Sequence, residues 1–98
     1  MPYFVMTYDL VDDYIARRAA FREEHLQLAA EAHARGELLL GGAFSDPPDK
    51  AVTVFRAADR SVAENFARND PYVRNGLVVK WEVRPWTVVI GGPDRGSA

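Results

Sequence analysis

Two side chains in this sequence, His25 and Asp70, have the chemistry for acid–base work, and they come from two separate stretches. Asp70 stands in Asn69-Asp70-Pro71-Tyr72, where a short helical pattern stops. The proline at 71 disfavours the α region for the residue before it, which predicts Asp70 just beyond the last helical turn. A helix end carries roughly half an elementary negative charge on its unpaired carbonyls, so a carboxylate there needs a cation, a donor or water beside it. Arg22 and His25 are the candidate partners, in the run Phe21-Arg22-Glu23-Glu24-His25-Leu26. A His-Asp pair has a definite use: the carboxylate fixes the imidazole tautomer and stabilises its protonated form, leaving the other nitrogen free to move a proton. Arg22, one turn earlier, either holds a substrate carboxylate or phenolate or itself pairs with Asp70. Tyr72 adds a hydroxyl donor on an apolar body.

Each of these residues also has a plainer reading. A histidine on an apolar helix face is usually a satisfied structural residue, and a His-Asp contact can simply lock two helices together. On residue physics alone that structural reading is slightly favoured. Asp-Pro-Tyr is a common stop signal, and Arg22 alone reads as an ordinary ion pair. His33 lies about 80° around the helix from His25 and lacks the i, i+4 spacing of a helical zinc pair, so no metal site is expected. Gly41-Gly42 is too short for a phosphate loop.

The elements that must position these groups follow from periodicity. Tyr3 to Tyr8 is β-branched and aromatic with both faces apolar, which predicts a central strand. Asp12 or Asp13 then caps a helix expected from about Tyr14 to Arg35, with Tyr14, Phe21, His25, Leu28, Ala29 and Ala32 on one side. Gly36 is its glycine stop. Glu37 to Phe44 reads as a second strand, with Gly41-Gly42 marking a bulge or a close approach. Ser45 to Lys50 is a loop, and Ala51 to Arg56 a third strand closing a hairpin. Ser61-Val62-Ala63-Glu64 matches a capping box for a short helix reaching about Asn69. After a turn at Val73 to Gly76, Leu77 to Arg84 alternates as a fourth strand that Pro85 is expected to interrupt.

This order of strand, helix, strand, strand, helix, strand is the split βαβ, or ferredoxin-like, α+β pattern: two helices on one face of an antiparallel sheet. The arrangement brings the middle of the first helix near the end of the second, so contact between His25 and Asp70 is expected. The other strand faces hold too much apolar surface for a monomer to leave in water, which predicts a homodimer through the open sheet face.

Composition narrows the classes. Ninety-eight residues make a single domain, expected over residues 1–90 with a loose tail at 91–98. The chain is 48% hydrophobic and 27% charged, with a net charge of -2. It has no basic stripe, so no nucleic-acid partner is expected. No apolar run approaches membrane-spanning length, so no membrane partner is expected. There is no cysteine, which removes disulfides and thiolate catalysis. With no signal-peptide pattern at the start, the reading is cytoplasmic.

Four motifs in order now matter together: Arg22-x-x-His25-Leu26, Gly36-x-Leu38-Leu39-x-x-Gly42, Asn69-Asp70-Pro71-Tyr72 with Gly76, and Val83-x-Pro85-Trp86. Over about Tyr3 to Trp86 the chain resembles the YCII-related family. The resemblance implies a dimeric α/β-barrel of ferredoxin-like subunits, similar in architecture to muconolactone isomerases. It also implies that His25 and Asp70 are the active-site pair. One branch of the family resembles dehydrochlorinases of chlorinated hydroquinones. The loop Ser45 to Lys50 is shorter than the polar insertion frequent in that family, which leaves any part for Ser45 open.

The leading expectation is a small cofactor-independent lyase or isomerase acting on a small cyclic or aromatic acid or phenol. His25 would be the general acid–base, Asp70 its orienting partner, and Arg22 and Tyr72 the substrate-binding residues. The alternative is a non-catalytic homodimer that binds a small ligand or serves a structural role. A third, weaker reading is a haem-free monooxygenase of the same barrel architecture.

Overall fold

The computed structural model describes residues 1–92. Of the tail expected at 91–98, residues 93–98 lie outside the described residues. The sheet has four strands: β1 (Tyr3–Leu10), β2 (Leu38–Ala43), β3 (Lys50–Arg56) and β4 (Val78–Trp86), in the order β2-β3-β1-β4 with every neighbour antiparallel. That is the ferredoxin-like order. β1 is central because both of its faces are apolar, and its register puts Tyr8 between Ala51 and Trp81. Phe4, Met6, Tyr8 and Leu10 point to the helix side and are buried, with Phe55 beside them and Phe66 edge-on to Phe55 at 5.5 Å. Burying one such side chain is worth about 1.5–3 kcal/mol.

The first helical region differs from the single helix expected over 14–35. It consists of α1 (Tyr14–Arg18) and α2 (Arg22–Ala34), separated at Ala19 to Phe21. No proline or glycine marks the break, and nothing local in the sequence accounts for it. Its consequence is that Arg22 becomes the first residue of α2, beside the unpaired N–H groups of a helix start. Asp13 stands at the α1 start without a side-chain cap bond. Gly36 ends the region at φ +79°, the left-handed stop expected there.

α3 (Ser61–Asn69) does not form the expected capping box. Arg60 occupies the cap position, and the Ser61 N–H and hydroxyl turn back to the Asp59 carboxylate, which therefore serves the helix start in place of Ser61 and Glu64. The segment after α3 was expected to be a plain turn but is one more short helix, α4 (Pro71–Arg74). β4 runs through Pro85, which pairs with Phe4. It tolerates the proline because it is an edge strand with a ladder on one side only, so the missing N–H can face outward. In β2 the register shifts between Leu38 and Leu40, a bulge slightly earlier than Gly41-Gly42.

The helices cover one face of the sheet. The other carries Val5, Val52, Val54 and Leu40, with a charged end at Asp9, Lys50, Lys80 and Glu82. Leu40 and Trp86 are among its exposed large side chains. Gly92 returns close to this face: a Cβ there would lie 2.7 Å from the Tyr3 hydroxyl oxygen. No helix among the described residues is long and apolar enough to cross a membrane.

Candidate active site

Asp70 links two helices. It closes α3 in an extended conformation (φ -70°, ψ 122°) and opens α4, where proline takes the first helical position and the carboxylate accepts the Tyr72 N–H at 2.9 Å. The repulsive position inferred from the sequence is thus relieved by the next helix start, whose dipole favours an anion. Asp70 is 0% exposed. Its Oδ1 also meets His25 Nδ1 at 2.8 Å, and its Oδ2 accepts the Tyr8 hydroxyl at 2.8 Å. Three donors therefore surround one buried carboxylate, which satisfies the rule that a charge out of water must be hydrogen-bonded. Arg22 does not pair with Asp70, because Tyr8, His25 and the Tyr72 backbone already occupy both oxygens.

His25 is held by two contacts. Its Nδ1 faces Asp70, and its ring stacks on Tyr72 with centroids 3.9 Å apart and planes 10° apart. Tyr72 in turn meets Tyr14 edge-on at 5.7 Å, and the Arg18 guanidinium lies 5.3 Å over the Tyr14 ring. Because an ionised Asp70 can only accept, the His25 proton sits on Nδ1, and Nε2 is the nitrogen left for chemistry. His25 lines a cavity of about 430 Å³ between sheet and helices, together with Arg18, Arg22, Tyr14 and Tyr72. Gly41, Gly42, Ser45 and Thr53 line the opposite side. At Gly42 a Cβ would meet nothing within 4 Å, whereas at Gly41 it would touch Thr53 at 3.4 Å.

Burial pushes the Tyr8 phenol far above its ordinary pKa, and the charge and hydrogen bond of Asp70 add to the rise. Tyr8 therefore stays a donor. Burial likewise raises the Tyr72 phenol, Tyr14 adding to the rise, while the Arg22 and Arg18 guanidinium groups oppose it. The Tyr72 hydroxyl is buried, yet it forms no hydrogen bond of ordinary geometry with any described residue. Arg22 comes near enough to bear on its titration without the alignment of a formed bond. His33 is used elsewhere, its Nδ1 2.7 Å from the Leu38 carbonyl. Among the described residues no three acidic or histidine side chains are gathered as a metal ion would require.

Of the residues singled out from the sequence, His25 and Asp70 touch, Tyr72 stacks on His25 and lines the cavity with it, and Arg22 and Ser45 reach the cavity from opposite walls. Tyr8, Tyr14 and Arg18 were missed. The signal for Tyr8 was present: an aromatic hydroxyl on the same face as Phe4 and Met6 of a central strand must find a buried partner. Nothing comparable marked Arg18.

The family model for the YCII-related domain matches residues 1–87. The chain belongs to this family. Among solved structures, the YCII-related chain is similar to the 5-chloro-2-hydroxyhydroquinone dehydrochlorinase TftG from Burkholderia phenoliruptrix AC1100, solved with 2,5-dihydroxybenzoquinone. The identity is 17%, the TM-score 0.73, and the match covers 87% of this chain and 93% of that one. It is also similar to Atu4242 from Agrobacterium tumefaciens, at 20% identity and TM-score 0.61, over 95% of this chain and 98% of that one. An antibiotic biosynthesis monooxygenase is similar at 12% identity and TM-score 0.58, over 92% and 100%. At these identities the likeness is one of fold. No curated protein matches the chain.

Proposed function

We propose that this chain is a small cofactor-independent lyase or isomerase acting on a small cyclic or aromatic substrate. The observation that carries the reading is the buried line from Tyr8 through Asp70 to His25, which ends at the cavity wall. His25 Nε2 takes a proton from the substrate, Asp70 stabilises the imidazolium that results, and Tyr8 holds the carboxylate in place. In a lyase the leaving group departs as the proton is taken; in an isomerase His25 returns the proton to another carbon. Arg22 and Tyr72 bind the substrate beside the imidazole.

Similarity to TftG makes a chlorinated hydroxyhydroquinone the first compound to assay, by chloride release, with a muconolactone as the isomerase probe. His25→Gln should lower turnover by ~10² to 10⁴, the usual worth of positioned acid–base help. Turnover unchanged in His25→Gln refutes the mechanism. A non-catalytic reading has one observation in its favour, since the His25 stack on Tyr72 and its bond to Asp70 also tie α2 to α4. It predicts that His25→Gln loses stability while no ring compound is turned over.

The apolar open sheet face supports a homodimer, with Val5, Val52, Val54 and Leu40 covered by a second copy. Sedimentation should give twice the chain mass, and Val54→Glu a monomer. The absence of cysteine suits a reducing compartment, and the cytoplasm is the proposed location.

A further inference from the structure

The cavity that His25 faces has a charge pattern of its own. The chain carries more acidic than basic residues, 14 against 12, yet the cavity is lined by Arg18 and Arg22 and by no aspartate or glutamate. Three other cations have carboxylate partners: Arg17 pairs with Asp13, Arg35 with Glu37 and Lys50 with Asp9. Arg18 and Arg22 have none among the described residues. Arg22 is also the first residue of α2, where the helix dipole disfavours a cation and the free N–H groups add positive potential. Glu23 and Glu24 share its turn, but neither lines the cavity.

A second, independent observation lies on the same wall. The Tyr72 hydroxyl oxygen has lost its water and gained no partner among the described residues, although the residue is only 2% exposed. A buried phenol without a partner is costly, and the cost is recovered when a ligand atom accepts its hydrogen bond. Because burial raises its pKa, Tyr72 offers a proton at neutral pH. The donor is held in position by the stack on His25 and the edge contact with Tyr14, while Arg18 is steadied over the Tyr14 ring.

We propose that Tyr72, Arg18 and Arg22 form an oxyanion subsite that selects ring substrates carrying a negatively charged oxygen, a carboxylate or ring oxyanion, over neutral rings. Any chemistry after binding rests on the proposed function; the binding itself does not. Bound there, the anion is fixed beside the imidazole, and its charge is met by two guanidinium groups and one hydroxyl. The apolar body of the ring falls to Leu26 and Phe66 on the same cavity.

The test is a calorimetric or NMR titration of the whole chain with 2,5-dihydroxybenzoate and with its isosteric amide, both at millimolar concentration. The acid should bind at least about tenfold more tightly than the amide, equivalent to about 1.4 kcal/mol. Arg18→Gln and Arg22→Gln should each weaken the acid several-fold and leave the amide unchanged. Tyr72→Phe removes only the orphan hydroxyl and should do the same. Arg17→Gln, an equal change in net charge away from the cavity, should leave both unchanged. Equal binding of acid and amide, no binding of either, or an equal loss in Arg17→Gln overturns the subsite. Turnover does not enter these readings: selective binding without turnover refutes the enzyme and keeps the subsite, and turnover without selectivity does the reverse.

Discussion

Replacing Tyr8 with phenylalanine removes one hydroxyl and keeps the ring, so it isolates the bond that holds the far side of Asp70. That hydroxyl donates to Asp70 Oδ2 at 2.8 Å, whereas the His25 and Tyr72 donors both go to Oδ1. In Tyr8→Phe, Oδ2 is left with no donor on a carboxylate that is 0% exposed. An unsatisfied buried acceptor costs about 1–3 kcal/mol, and a charged one more. The void left by a hydroxyl adds little. We expect a loss of about 3 kcal/mol, a large share of the roughly 5–15 kcal/mol typical of a domain. At about 4–8 °C per kcal/mol for a chain of this size, the Tm should fall by roughly 12–24 °C. Urea unfolding followed by circular dichroism measures the change. The cycle with Asp70→Asn should return a coupling energy of about 1–3 kcal/mol between the two positions. A Tyr8→Phe protein within about 0.5 kcal/mol of wild type would refute the reasoning, because Oδ2 would then have another source of hydrogen bonds.

Three further outcomes come from the same geometry. In Asp70→Asn the amide oxygen should stay with the Tyr72 N–H and His25 Nδ1–H while the NH2 turns to the Tyr8 hydroxyl, so the Nδ1–H tautomer is kept; ¹⁵N shifts of the imidazole report it, and a switch to Nε2–H would mean that the Tyr72 N–H does not fix the amide. The Tyr8 phenol keeps its proton to higher pH in the folded chain than in the unfolded one, where it titrates near 10. The unfolded state therefore loses its proton first, so this contribution is whole below pH ~10 and declines above it, by up to about 1.4 kcal/mol per pH unit. Tyr72 acts with the same sign. Urea midpoints between pH 9 and 11, flatter in Tyr8→Phe, check this. Gly36→Ala, at φ +79°, should cost about 1 kcal/mol by urea unfolding although its Cβ would meet nothing within 4 Å; a neutral result would mean the turn relaxes.

Much of the architecture was legible because it depends on local periodicity. The apolar run of β1, the alternation of β4 and the glycine stop at Gly36 each follow from neighbours in sequence, and their order permits the ferredoxin-like arrangement. The helix break at Ala19 to Phe21 was not legible, since no proline or glycine marks it. The capping box at Ser61 failed because the carboxylate of Asp59, two residues earlier, takes the N–H that Glu64 would have accepted. Pro85 read as an interruption because its place at a sheet edge is a property of the whole sheet.

The candidate site divides in the same way. The sequence by itself determined which groups were available: an imidazole on the buried side of a helix, a carboxylate stranded before a proline, and an arginine one turn from the histidine. It also determined that Asp70 needed a donor, because the C-terminal end of a helix repels an anion wherever it occurs. Only the tertiary structure decided who supplies it. Tyr8 and His25 come from 62 and 45 residues away, and Asp70 meets the Tyr72 N–H only because the chain starts a new helix there. Desolvation made the same distinction for the two tyrosines. Both are buried phenols, but Tyr8 faces a carboxylate inside the core, while Tyr72 is held against the cavity with its hydroxyl unmatched. Sequence spacing carries side-chain type and the local face of an element; which buried groups meet is set by how helices and sheet close on one another.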